Sequence, residues 1–65
     1  MKYTITIKWS EEDNCFVVYL PEFECLVSQP VTHGNTYAEA LKSAEELLEI
    51  LIEKYQEEGN LPALN

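Results

Sequence analysis

His33 is the only side chain here whose free pKa lies near neutrality, so general-base chemistry would fall to it. Such chemistry needs a nucleophile or a carboxylate at its side. Its chain neighbours Thr32, Gly34 and Asn35 are the types a turn requires, and His33 reads as a turn or surface residue. Cys15 and Cys25 lack the Cys-x-x-Cys spacing of a redox pair and any cluster of positive charge to lower a thiol pKa. A disulfide is not expected either: strands joined at Leu20-Pro21-Glu22-Phe23 would set Cys25 opposite Val18. Two Cys and one His are too few soft ligands for a four-coordinate structural zinc site. No glycine-rich phosphate loop is present, since the glycines are Gly34 and Gly59. No catalytic, metal or cofactor-binding residue is assigned, and the chain is not expected to be an enzyme.

The carboxylates outnumber everything else that could react. Twelve Asp and Glu against four Lys and Arg give a net charge of −8. They fall on solvent-facing positions with no apolar pocket to raise a pKa, so they act as charge and not as general acids. A surface of this sign repels phosphate backbones, and Tyr3, Trp9, Tyr19, Tyr37 and Tyr55 have only Lys8, Lys42 and Lys54 interspersed among them, too little positive charge to make a nucleic-acid stacking platform. They read as core and interface. Two acidic groups are candidates for contact with a basic protein, whose approach their field would accelerate. One is Glu11, Glu12 and Asp13 in a polar loop; the other is Glu46, Glu49 and Glu53 on the back of a helix. The plainer role of both is solvation.

The elements that must position these residues follow from periodicity. From Lys2 to Trp9 the residues Tyr3, Ile5, Ile7 and Trp9 alternate with Thr4, Thr6 and Lys8, the pattern of a strand with one wet face. Ser10 to Asn14 then lead into Cys15 to Leu20, where both alternating sets are apolar, which predicts contacts on both faces of the sheet. Pro21 and Glu22 break that run, and Glu24 to Gln29 reads as a shorter third strand ending before Pro30. Gly34 and Asn35, the types that most easily take positive φ, predict a sharp reversal. Thr36 and Glu39 have capping-box spacing, worth about 1 kcal/mol. Apolar residues at steps of three and four predict a helix from Tyr37 to Glu58, stopped by Gly59 and kept stopped by Pro62.

The expected fold is α+β: one domain over residues 1–65, with a three-stranded antiparallel sheet and one long helix packed on one face, in the order β-β-β-α. At 65 residues the core is small and stability marginal unless something is added, and association is the addition left. Strands of roughly 20–24 Å cannot cover a helix of roughly 33 Å, so part of its apolar face overhangs. Ile50, Leu51, Ile52 and Tyr55 there, with Phe16, Val18 and Leu20 on the outer face of the second strand, are the expected surface for a homo-oligomer, a dimer or tetramer. The competing expectation is that Leu61 and Leu64 fold back over the overhang. No signal peptide and no apolar run near the ~20 residues of a membrane span are seen, which predicts a cytoplasmic protein.

Three segments in order, Ile7-Lys8-Trp9-Ser10-Glu11-Glu12-Asp13, Phe16-Val17-Val18-Tyr19-Leu20-Pro21-Glu22-Phe23 and Thr32-His33-Gly34-Asn35-Thr36-Tyr37-Ala38-Glu39-Ala40-Leu41, resemble the HicB-like antitoxins across nearly the whole chain. The resemblance implies a partial ribonuclease-H-like fold without catalytic carboxylates. It also implies binding to HicA toxins, small basic proteins of double-stranded-RNA-binding fold that cleave messenger RNA with a His, by covering that His and the RNA surface. Many members carry a C-terminal DNA-binding segment; none follows here, so direct operator binding is not expected. The stretch Glu24 to Val31 replaces a Pro-Gly-Cys turn common in relatives, and little sequence is left for that fold's fourth strand. The alternative is a solitary homo-oligomeric protein with no toxin partner.

Overall fold

The computed structural model describes residues 3–63. Lys2 of the expected first strand and Leu64 of the tail lie outside the described residues. The elements are β1 (Thr6–Ser10), β2 (Cys15–Tyr19), a 3-10 turn (Pro21–Phe23), β3 (Thr32–Gly34) and α1 (Tyr37–Glu58). The sheet has the order β1-β2-β3, antiparallel throughout, and α1 covers one face, so the α+β class and the β-β-β-α order are as expected. Residues 60–63 form no further strand.

The β1–β2 hairpin pairs Thr6 with Tyr19 through Ser10 with Cys15. Its loop is closed at both ends. The Ser10 hydroxyl donates to Asp13 Oδ2 (3.1 Å) and accepts from the Asp13 amide (3.2 Å), while Asn14 takes φ 53°, a left-handed conformation its type tolerates.

The third strand is not where periodicity placed it. Pro21 opens a 3-10 turn, in which the fixed φ and missing N–H of proline cost nothing, and Phe23 at its end is fully buried. The Leu26 and Val27 amides both donate to the Phe23 carbonyl (2.9 and 3.0 Å), so Glu24 to Gln29 curls around its own backbone and is not a strand. The strand falls instead on the supposed turn, pairing Phe16 with Gly34, Val17 with His33 and Val18 with Thr32. Beyond its end, the Gln29 carboxamide stands in for a paired residue: it accepts from the Leu20 amide and donates to the Leu20 carbonyl, both at 2.9 Å.

Gly34 does not have positive φ. Its glycine is required by proximity: a Cβ there would press on the Ala40 backbone, with Ala40 Cα at 2.7 Å and the Glu39 carbonyl carbon at 2.9 Å. The helix start thus rests directly on β3. The Glu39 amide donates to Thr36 Oγ1 (3.1 Å), and the Glu39 carboxylate accepts from the Asn35 amide (3.2 Å), one residue earlier than in the usual capping box. At the other end Gly59 takes φ 75°, and the Gly59 and Asn60 amides return to the carbonyls of Gln56 and Tyr55.

The core has two parts. Under the first half of α1, Val18 packs with Ala40 and Ala44, whose small side chains let helix and sheet come close; under the second half, Leu20, Phe23, Leu51 and Tyr55 pack together. Each large side chain fully buried there contributes about 2 kcal/mol. This arrangement corrects most of the expected self-association surface. Phe16, Val18 and Leu20 point toward the helix, because the pleat puts Cys15, Val17 and Tyr19 on the outer face, and Val18 and Leu20 are completely buried. Leu51 and Tyr55 are buried too, and Ile52 is half-buried against them. The overhang is covered within the chain: Phe23, Val27 and Val31 of the segment after β2 fill it, and Leu61 folds back as the competing expectation held. Tyr3 Oη donates to the Pro62 carbonyl at 2.6 Å and ties the tail to the first residues.

Candidate functional site

The hairpin loop carries Glu11, Glu12 and Asp13, all exposed. It follows Trp9, whose ring stacks edge-on against Phe16 (centroids 5.1 Å), and Phe16 in turn meets Tyr37, the first residue of α1 (5.5 Å). The loop therefore stands at the N-terminal end of the helix. Glu46, Glu49 and Glu53 are also exposed, but Glu53 lies about 24 Å further along the helix axis from Tyr37 at ~1.5 Å per residue. Glu46 and Glu49 stand at mid-helix, about 14 and 18 Å from Tyr37 at ~1.5 Å per residue, so the second group is spread along the middle and far half of α1, beyond the end that carries the hairpin loop. Of the expected self-association residues only Ile50, 61% exposed, stands free among the helix carboxylates.

Chemistry on the outer face of the sheet is sparse. His33 lies beside Val17, which has Lys8 on its other side. An open depression of about 530 Å³ runs past His33, Cys15 and Asp13. Both cysteines are free, Cys15 buried and Cys25 exposed. Among the described residues no set of three His, Cys, Asp or Glu is placed to hold a metal ion, and no helix is long and apolar enough to cross a membrane. Lys8 lies over the Tyr19 ring and Lys54 over that of Tyr55, at 5.6 and 5.2 Å from the centroids.

One carboxylate is structural. Glu22 accepts from the Thr4 amide (2.9 Å) and the Thr4 hydroxyl (2.8 Å), holding the segment before β1 against the 3-10 turn. Burial pushes its pKa up, but the hydrogen bonds from the Thr4 side chain and backbone together outweigh that, and the carboxyl sits below its ordinary value.

The feature that periodicity missed is the flank of the molecule along β1. The helix lies closer to β3 and β2 than to β1, so the helix-facing side of β1 is only partly covered. A groove of about 580 Å³ opens just ahead of β1, with Tyr3, Ile5, Leu48 and Ile52 as its floor and Glu45 and Glu49 at its helix wall. Further along the same flank Trp9 (45%), Leu41 (40%) and Tyr37 (59%) are exposed. Alternation in β1 and the helix period each show their apolar faces, but the lateral offset between helix and sheet that leaves these residues uncovered is set by packing. Compared with models of protein families, with curated proteins and with solved structures, the chain matches none.

Proposed function

We propose that this chain is a cytoplasmic antitoxin-like binding protein that neutralises a small basic HicA-type mRNA-cleaving toxin by occluding its active site and RNA surface. The observation that carries this reading is the exposure of two groups of carboxylates, Glu11, Glu12 and Asp13 in the hairpin loop and Glu46, Glu49 and Glu53 along the helix, on a chain of net charge −8. A basic RNA-binding surface is the natural counterpart of such a field, which steers encounter and competes with RNA for the same charges. The resemblance in segment order supplies the partner's kind. The test is co-purification with a HicA-like protein encoded beside it and protection of RNA from that protein. A folded sample that neither binds nor protects overturns the reading.

A second reading is a solitary homo-oligomer of unassigned role. Exposed Trp9, Tyr37, Leu41 and Ile50 favour it, since a second copy would cover them. Light scattering that finds a monomer at tens of micromolar removes it.

A further inference from the structure

β1 is an edge of the sheet: β2 is its neighbour on one side, and among the described residues nothing pairs with the other. Open edges are templates for further pairing, and proteins usually blunt them with proline, a bulge or charge. β1 has no proline, and its residues pair one-to-one with β2 without a bulge; Lys8 is its single charge. Just before the start of this edge, alongside Tyr3 and Ile5, lies the groove that these two residues line with Leu48 and Ile52, with Glu45 and Glu49 on its helix side. A main-chain edge at Thr6–Ser10 and, at its N-terminal end, an apolar groove with acidic residues thus follow one another along the same flank.

We propose that this edge and groove take an extended basic segment of a partner protein, which adds a strand to β1. Where that segment runs on past Thr6, its alternate side chains enter the groove beside Tyr3 and Ile5, where apolar ones cover the floor and lysine or arginine stems lie on it and carry their charge to Glu45 and Glu49. Charge selects this occupant over a second copy, since each copy brings −8 to the contact. The basic character of the partner rests on the proposed function; the place and mode of contact do not.

The test uses the full chain and a short peptide alternating valine and lysine. Amide exchange in Thr6–Ser10 is expected to slow about tenfold when the peptide binds, and Glu45→Lys/Glu49→Lys is expected to weaken binding about tenfold. Glu57→Lys/Glu58→Lys, the same change of charge on exposed carboxylates at the far end of the helix, should weaken it less than about threefold. Failure to bind at millimolar peptide, unaltered exchange in β1, or equal losses in the two double variants overturns the proposal. So does concentration-dependent protection of β1 without peptide, which would make a second copy the occupant. A HicA-like toxin that binds while β1 exchange is unaltered overturns this contact and leaves the proposed function standing. Binding of the peptide without binding of any such toxin supports the contact and removes that function.

Discussion

Gly34 and Glu22 show how a single residue is decided by what it touches. Gly34 looks like a turn glycine in the chain, yet its backbone is an ordinary strand conformation and its missing Cβ makes room for Ala40. Gly34→Ala is expected to cost about 2 kcal/mol, because the clash is with backbone and cannot be relieved by a rotamer, and urea unfolding measures it. Glu22 has a lowered carboxyl pKa, so the stability it contributes is fully present above the ordinary carboxylate range and is lost as pH falls through the lowered value. Glu22→Gln is therefore expected to lower Tm at neutral pH and to narrow its gap to the parent in acid, read from melting curves against pH. Neither role is visible in the chain, since Thr4 and Ala40 are partners only after folding. Thr36 and Glu39, by contrast, are legible because both partners of a cap lie within one turn.

At the scale of elements, the helix and the first hairpin were legible and the third strand was not. Tyr37–Glu58 repeats its pattern over six turns and carries start and stop signals at each end, so every local preference agrees. Glu24 to Gln29 alternates too weakly to outweigh Pro21 and the pull of Phe23 into the core. That segment then supplies what a longer third strand would have: Phe23 fills the space under the second half of α1, and Gln29 satisfies the backbone of Leu20. Gln29→Ala leaves that amide and carbonyl unpaired and part-buried, and a loss of about 1–3 kcal/mol is expected, with faster amide exchange at Leu20 as the local sign. Phe23→Ala removes a fully buried ring and costs about 3–5 kcal/mol. That is comparable with the entire stability of a domain this small, so a loss of cooperative melting by circular dichroism is expected.

For the whole molecule, net charge is the strongest influence that composition alone controls. Twelve acidic residues on a body 36 × 19 × 19 Å repel one another, and raising salt from about 0.01 to about 0.15 M shortens the Debye length from roughly 30 to 8 Å. Tm is therefore expected to rise by several degrees across that range in differential scanning calorimetry, while the affinity for a basic partner falls. The sequence by itself determined the fold class, the helix with its caps, the hairpin and the acidic surface, because each depends on neighbours within a few residues or on a simple sum of charges. Only the tertiary structure decided which face of β2 is inside, where the third strand runs, what covers the helix overhang and which edge stays open. Those depend on residues far apart in the chain competing for one small core. Moving the helix toward β3 covered the expected interface residues and left the flank of β1 uncovered instead.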